Sequence, residues 1–278
     1  MLGALIIVFR EVIEAGIIVG ILLAVTKGVP GRGRWIAAGI GAGVAGAMLL
    51  AVFAEQISNA LAGIGQELFN AGVLAIAVLM LAWHNIWMAR HGRQLAAQMK
   101  DVGDAVAKGS RSLAAVAIVV AVAVLREGSE IVLFLYGLVI AGGSSTWGLV
   151  VGGFIGLLLG CGVAAFTFLG LIRIPGRYLF GVTTFLITFL AAGLAAQSVV
   201  FLQQAGIATV LEGTVWNTSA ILSDTSLLGR VLHTLIGYTD QPSGLQLVVY
   251  ALTLIMIFGL TKAFGPPQPT ARPVVVRE

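Results

Sequence analysis

The sequence is poor in charge, cysteine and histidine. Only 10% of its 278 residues are charged, whereas 59% are hydrophobic and the mean hydropathy is +1.03. This composition excludes an ordinary soluble domain and is typical of a polytopic membrane protein surrounded by a lipid bilayer. The single cysteine, Cys161, excludes an internal disulfide and a thiolate metal cluster, and we interpret it as a small packing residue. The three histidines form no His-Glu-x-x-His pattern, which argues against an intramembrane metalloenzyme.

Seven apolar segments are long enough to cross a bilayer, which takes about 20 residues. They cover approximately residues 2–25, 35–54, 68–89, 113–141, 146–171, 178–203 and 244–264. Most of the 16 Lys and Arg residues follow the first, third, fifth and seventh segments. The positive-inside rule therefore predicts a multi-pass protein of the cell membrane with its N-terminus outside and its C-terminus in the cytoplasm. The basic pI near 9.6 then reflects this topology, and we expect no nucleic-acid partner.

Three stretches outside the spans have their own patterns. Residues 90–111 place apolar residues at helical spacing, which predicts an amphipathic extension near the inner surface. Residues 204–243 form a long outer link, whose apolar pairs suggest short helices at the outer mouth. Residues 265–278 are rich in proline and are expected to form a disordered cytoplasmic tail.

Against this background, two charged motifs occur inside apolar segments. They read Arg10-Glu11-Val12-Ile13-Glu14 in the first segment and Arg126-Glu127-Gly128-Ser129-Glu130 in the fourth. The two segments run in opposite directions, so the copies indicate an inverted-topology repeat with halves of about 1–112 and 113–203. The sequence thus predicts an all-α membrane protein, with one domain over residues 1–264. Its seven transmembrane helices comprise a 3+3 inverted repeat and one extra C-terminal helix, residues 244–264.

The charged motif residues must face a protein interior or water, because each charge costs about 2.5–3.5 kcal/mol near the bilayer centre. On a helix, the arginine can form an ion pair with one glutamate, which leaves the other glutamate to bind a ligand. Two facing motifs form a net negative site, which attracts a cation. Carboxylates are hard ligands, and no cysteine or histidine lies near the motifs in sequence, so a hard ion such as Fe³⁺ is favoured. The alternatives are an internal ion-pair staple, a purely structural subunit, and a proton-coupled transporter of organic cations.

Three further stretches accompany the motifs. They are Gln66-Glu67-Leu68-Phe69, Ala191-Ala192-Gly193-Leu194-Ala195-Ala196 and Gly237-Tyr238-x-x-x-Pro242-Ser243. Together with the motifs they resemble the oxidase-dependent iron transporters, which include fungal high-affinity iron permeases and bacterial Efe-type iron uptake permeases. The resemblance implies an iron permease and not an enzyme, with the iron ion as substrate and no permanently bound cofactor.

The resemblance also implies roles for the motif residues and for partners. The implied iron ligands are Glu11, Glu14, Glu127 and Glu130, and Arg10 and Arg126 are expected to brace them. A separate oxidase or peroxidase and outer iron-binding proteins are the implied partners, so that Fe³⁺ enters after oxidation of Fe²⁺. Some members of the family are associated with lead, which makes another metal cation an alternative cargo.

Other polar residues are candidates for the pathway. The outer acids Glu55, Glu67 and Asp224 are expected to collect cations at the entrance, and Asn70 stands where the family often has a further acid. Within the spans, Ser129 and Gln197 are candidate pathway residues, with helix packing as the alternative for Ser129.

One histidine lies in a predicted span. His84 is flanked by Trp83 and Trp87 at the inner end of the third segment. We interpret the three as part of an interfacial aromatic belt and not as a metal site.

Overall fold

The computed structural model describes residues 1–60, 65–142, 145–170 and 176–264, without the side chains of residues 55, 57–60, 89, 90, 92, 93, 176–180, 234 and 264. In these ranges the chain forms eight α-helices and no β-strand, as the all-α prediction requires. The helices are α1 (Leu2–Val25), α2 (Arg32–Ala60), α3 (Gln66–Ala107), α4 (Leu113–Ile140), α5 (Thr146–Phe168), α6 (Gly176–Gln204), α7 (Leu227–Ile236) and α8 (Gly244–Phe264). The predicted tail, residues 265–278, lies outside the described residues.

Five helices, α2, α3, α5, α6 and α8, are long and apolar enough to cross a membrane. The chain is therefore a multi-pass membrane protein. Helices α1 and α4 contain 24 and 28 residues, and each carries the three charged residues of one motif near its middle. These charges distinguish α1 and α4 from the other long helices.

Two apolar cores occupy opposite ends of the bundle, and the motifs lie between them. The first core contains Ile7 of α1 and Phe134 of α4, together with residues of α3, α6 and α8. The second contains Ile18 of α1 and Ala123 of α4, together with the end of α3. Along α1 the first core precedes the motif, whereas along α4 it follows the motif. The two helices therefore run antiparallel, with their motifs at one level.

Glycines let the outer helices α5 and α2 approach the backbones of α1 and α4 closely. Each of four glycines faces a carbonyl oxygen of the neighbouring helix. The facing pairs are Gly152 with Met1, Gly156 with Leu5, Gly39 with Ala117, and Gly43 with Ala121. A Cβ atom at Gly156 would stand 2.6 Å from the Leu5 oxygen, and one at Gly43 would stand 2.7 Å from the Ala121 oxygen. Only glycine fits these two contacts.

These contacts predict that replacing glycine by alanine has opposite effects on stability at different glycines. Gly43→Ala and Gly156→Ala should destabilise the protein by about 1–3 kcal/mol, because the new methyl group meets backbone and the helices must separate. Gly41→Ala, also on α2, should be neutral or stabilising by up to about 1 kcal/mol, because nothing lies within 4 Å and alanine favours the helix. Thermal unfolding in detergent measures both effects. Equal melting temperatures for Gly43→Ala and Gly41→Ala would contradict the packing.

Helix α3 differs from the prediction of a span that ends near residue 89 and a separate surface extension. It continues unbroken to Ala107. Leu95 and Met99 of the extension pack against the second core, which includes Leu22 of α1. The apolar face of residues 90–111 therefore finds its partner inside the bundle and not at a membrane surface.

The outer link, residues 204–243, contains one helix, α7, and not a series of short helices. Its earlier part is held by hydrogen bonds to the segment before α8. Thr218 N donates to Asp240 O at 2.9 Å, and the Tyr238 hydroxyl donates to Leu222 O at 2.7 Å. The apolar pairs upstream of α7 lie in this irregular stretch, which hydrogen bonds connect to the segment before α8.

Candidate metal centre

The first motif forms a compact, buried ion cluster on α1. Arg10 Nη1 lies 2.9 Å from Glu11 Oε1, and Arg10 Nη2 lies 3.0 Å from Glu14 Oε1. None of the three residues is more than 3% exposed. The guanidinium presents its donors as a planar fork, so one arginine holds both carboxylates at once. One positive charge faces two negative charges, which leaves this motif net negative.

The second motif repeats the order of residues in a looser arrangement. Arg126 Nε lies 3.9 Å from Glu127 Oε1 and 3.5 Å from Glu130 Oε1, and the arginine side chain is 36% exposed. Its guanidinium carbon lies 4.5 Å from the ring centroid of Trp87 on α3, which is a cation–π contact. Glu127 and Glu130 are nevertheless buried. Their charges are less closely compensated than those of the first motif.

His84 of α3 connects the two motifs. Its Nε2 lies 3.1 Å from Glu14 Oε2, and its Nδ1 lies 2.5 Å from Glu130 Oε2. The residue is 2% exposed. The assignment of His84 to an interfacial aromatic belt is therefore wrong, because the imidazole points into the bundle and reaches both motifs. Trp83, at 70% exposure, does lie on the outside of the bundle.

The spacing of apolar residues along α3 indicates that His84 faces the interior of the bundle. Leu74, Ala77 and Leu81 are buried along one face of this helix. His84 continues the same three- and four-residue spacing, so it shares the face that packs into the bundle. A polar residue on such a face points to the interior and needs partners there.

Four side chains from three helices come together as a cluster, hereafter the central cluster: Glu11, His84, Glu127 and Glu130. One ligand atom of each lies within 4.8 Å of the others. With Glu14 beside them, four carboxylates face two guanidiniums and one imidazole. The carboxylates outnumber the positive groups even when the imidazole is protonated. The site is therefore suited to a cation.

Two glutamates of the central cluster, Glu11 and Glu127, each have one buried oxygen, Oε2, without a hydrogen-bond partner in the described part of the chain. The other two members face each other, since His84 Nδ1 lies 2.5 Å from Glu130 Oε2. A buried polar atom without a partner costs about 1–3 kcal/mol, so native proteins rarely leave two together. Coordination of one metal ion would satisfy both oxygens. Three carboxylates and an imidazole form a donor set that suits iron and also other transition metals, such as zinc and manganese.

The chain is similar to known proteins over almost its whole length. The profile of the iron permease FTR1 family matches residues 1–264. The chain belongs to this family. The ferrous iron permease EfeU of Escherichia coli is 32% identical over 255 residues, which cover 90% of this chain and 91% of the relative. EfeU of Yersinia pestis is 30% identical over 269 residues, 95% and 94% of the two chains. No solved structure matches.

Membership of the FTR1 family makes this chain a transport protein and not an enzyme. It agrees with the resemblance found in the sequence, which was based on the two motifs and three flanking stretches. The family also agrees with several apolar helices and a buried acidic cluster, because a permease must present polar groups to its cargo inside an apolar bundle.

An apolar groove of about 580 Å³ lies between α1, α2, α4 and α5 of this FTR1-family protein. Glu11 and Glu127, one from each motif, are the charged residues among those that line it. Cys161 of α5, interpreted from the sequence as a small packing residue, lies in the groove wall and is exposed, so it packs in neither apolar core. The groove thus brings one carboxylate of each motif to a wall that α1, α2, α4 and α5 form.

The remaining candidate residues of this FTR1-family chain lie apart from the central cluster or keep to their own helix. The Ser129 hydroxyl donates to Arg126 O at 2.7 Å, one turn earlier on α4. Gln197 is half-buried on α6. Glu67 is exposed in the first turn of α3 and Asp224 is half-buried in the outer link, whereas the side chain of Glu55 lies outside the described residues. The pathway and capture roles of these residues stay predictions.

Exposed Glu67 leads to a prediction about capture. Glu67→Gln should raise the iron concentration for half-maximal uptake about threefold at low salt, because a single exposed charge acts on encounter and is screened by ions. The maximal rate should stay nearly unchanged. Uptake kinetics at two ionic strengths measure both quantities, with exposed Glu212→Gln as the control from the outer link. Complete loss of transport at saturating iron would instead make Glu67 an obligatory binding residue.

Proposed function

We propose that this FTR1-family chain carries iron inward across the cell membrane through the central cluster and Glu14. The observation that carries the proposal is the convergence of carboxylates from α1 and α4 with the imidazole of α3 in one buried place. Such a concentration of negative charge is costly inside a membrane protein and is compensated when a cation binds. In this proposal seven helices span the membrane, with the N-terminus outside and the C-terminus in the cytoplasm.

The ion-pair staple explains the central residues less well. Arg10 does clamp Glu11 and Glu14, as a staple would. However, Glu11 Oε2 and Glu127 Oε2 have no partner among the described residues, and both glutamates also line the apolar groove. A staple needs neither unpaired oxygens nor access from a groove. Cation transport accounts for both.

Matching contacts in the two halves support an inverted repeat as the scaffold. Arg126 follows Arg10 by 116 positions, and the carbonyl pair of Ala117 and Ala121 follows that of Met1 and Leu5 by the same interval. The glycines that face these carbonyls are also shifted together, since Gly152 and Gly156 lie 113 positions after Gly39 and Gly43. The contact of α5 with α1 is therefore repeated, residue by residue, in the contact of α2 with α4. A two-fold relation between the halves gives this pattern.

Helices α3 and α6 extend the match. Leu74, Ala77 and Leu81 of α3 are buried, and so are Ile187, Leu190 and Leu194, each 113 positions later on α6. At the same interval, His84 corresponds to Gln197. In the proposed repeat the predicted pathway residue Gln197 is the counterpart of His84, and the halves differ there, because α6 has an amide where α3 has an imidazole.

For the cargo we propose Fe³⁺, delivered by a separate oxidase or peroxidase and by outer iron-binding proteins. Support comes from the three carboxylates of the central cluster, which are hard ligands. His84 adds an imidazole, which also suits Fe²⁺, to a site that the sequence predicted to contain carboxylates alone. The relatives from Escherichia coli and Yersinia pestis carry the name ferrous iron permease. A direct comparison of the two ions is therefore the central test.

The groove favours a second candidate, transport of organic cations. Its volume of about 580 Å³ and its apolar walls suit a small organic cation, whose charge would meet Glu11 and Glu127. Family membership favours iron. Tetraethylammonium at a large excess over iron separates the two, because it competes for the groove only if organic cations are cargo.

Uptake into proteoliposomes tests the proposed function. Purified protein is reconstituted, and the uptake of Fe³⁺ as citrate complex, Fe²⁺ under reductant, Pb²⁺ and Mn²⁺ is compared with that of liposomes containing the Glu11→Gln/Glu127→Gln double variant. We expect iron uptake that depends on the two glutamates and resists tetraethylammonium. Equal uptake by wild type and double variant, or preference for Pb²⁺ or Mn²⁺ over both iron ions, would refute the proposal. Preference for Fe²⁺ over Fe³⁺ would refute Fe³⁺ as the cargo.

A further inference from the structure

We propose that the iron ligands are Glu11, Glu127, Glu130 and His84 Nδ1, whereas Glu14 holds the His84 ring in place and does not bind the metal. This inference rests on the proposed function, since it divides the roles within the same site. It differs from the expectation of four equivalent glutamates. It adds a nitrogen ligand from α3 and removes one carboxylate.

Glu14 is the motif glutamate with both oxygens within 3.1 Å of a nitrogen atom of the protein. Its Oε1 faces Arg10 Nη2 at 3.0 Å, and its Oε2 faces His84 Nε2 at 3.1 Å. Both oxygens are therefore directed at positive or donating groups of the protein. Glu14 is also the motif glutamate that does not belong to the central cluster. Its position suits a carboxylate that orients a neighbour.

In the proposed site the contact with Glu14 leaves Nδ1 of His84 for the metal. A neutral imidazole carries one N–H, and here Nε2 donates it to Glu14 Oε2, 3.1 Å away. Nδ1 then keeps a lone pair that faces Glu130 Oε2 at 2.5 Å, and two acceptors so close repel each other unless a cation binds both. Metal-binding histidines commonly donate their second nitrogen to a carboxylate in this way, which fixes the ring and its tautomer.

The dimensions of the central cluster fit one ion. Nitrogen and carboxylate ligands bind transition metals at about 2.0–2.2 Å, so two ligands on opposite sides of an ion are separated by up to about 4.4 Å. The four ligand atoms lie within 4.8 Å of one another. Side-chain adjustments that separate His84 Nδ1 from Glu130 Oε2 would close the site around iron, and Glu11 and Glu127 each already have an unpaired oxygen.

The competing interpretation is that His84 only clasps Glu14 and Glu130. Pulsed electron paramagnetic resonance of the purified full-length protein with added Fe³⁺ citrate distinguishes the two. A ligating imidazole gives nitrogen couplings to the metal that change on ¹⁵N-histidine labelling. We expect these couplings in the wild type and in His91→Gln, a control seven residues further on α3, and their loss in His84→Gln. Absence of the couplings from the wild type, or their persistence in His84→Gln, would overturn the proposal.

Affinity measurements test the role of Glu14. Glu14→Gln keeps an oxygen that accepts from His84 Nε2, so the dissociation constant for Fe³⁺ should rise less than about tenfold, near the lower limit for residues that orient a ligand. Glu127→Gln removes a charged ligand and should raise the constant more than about 100-fold. Similar losses in both variants would make Glu14 a ligand.

The two proposals fail separately. Nitrogen couplings and tight Fe³⁺ binding without uptake into proteoliposomes would refute the transport function and leave the ligand assignment standing. Uptake that depends on Glu11 and Glu127, without nitrogen couplings, would refute the ligand assignment alone.

Discussion

Replacement of Glu11 or Glu127 by Gln should lower iron uptake by about 100-fold or more, beyond the 10–100-fold typical of changes that only orient a ligand. Each glutamate has an unpaired buried oxygen, and each lines the groove that reaches the cluster from the side. Gln preserves the size of the side chain but removes the negative charge that compensates a cation. Initial rates in proteoliposomes, corrected for reconstituted protein, measure the effect.

A loss of uptake is informative only if the variants remain folded. Glu11→Gln and Glu127→Gln remove buried charge, so their melting temperatures should equal or exceed that of the wild type. Truncation is harsher, and Glu14→Ala and Glu130→Ala should also abolish uptake because His84 loses a partner in each. Normal transport by both alanine variants would make the glutamates structural staples and the site assignment wrong.

The sequence predicted the part of this site that depends on local spacing. Charged residues inside an apolar helix are visible without a structure, and i, i+4 geometry brings Arg10 to Glu14 wherever the helix lies. The opposite orientation of the two motif helices also follows from counting spans. The boundaries of α1 and α8 agree closely with the predicted segments, because apolar length determines both.

His84 was missed because its role depends on which helices become neighbours. It is 70 residues from Glu14 and 46 from Glu130 in the sequence, and nothing in its immediate surroundings, Trp83 and Asn85, is acidic. Asn85 shows the same difficulty, since both its amide atoms are buried without a partner among the described residues. The apolar stripe of α3 predicts that such residues face inward, but it does not predict what they meet there.

The identical motif sequences also concealed a difference between the two arginines. Identical motifs suggest identical roles, yet Arg10 is 2% exposed and clamped by two carboxylates, whereas Arg126 is 36% exposed and stacks on Trp87. Trp87 belongs to α3, and position 200, 113 residues later on α6, is a valine. The environment of each arginine is therefore set by a neighbouring helix that the motif does not contain.

This difference predicts unequal effects for the same conservative substitution. Arg10→Lys should reduce uptake by at least about 30-fold, because a lysine ammonium cannot hold Glu11 and Glu14 with the planar fork that the guanidinium provides. It should also lower the unfolding free energy by up to about 3 kcal/mol, since one carboxylate is left buried and poorly compensated. Arg126→Lys should reduce uptake less than about threefold, because its contacts with Glu127 and Glu130 are long and its side chain is partly solvated.

Uptake rates and thermal unfolding of the two lysine variants, measured side by side, decide whether the arginines orient the glutamates or only neutralise them. If charge alone matters, both variants should transport almost normally, because lysine keeps the charge. If the two motifs are equivalent in every state that the transport cycle visits, both should fail to the same degree. A large loss in Arg10→Lys beside a small one in Arg126→Lys is the result expected when Arg10 is a fixed brace and Arg126 makes only loose contacts with its glutamates.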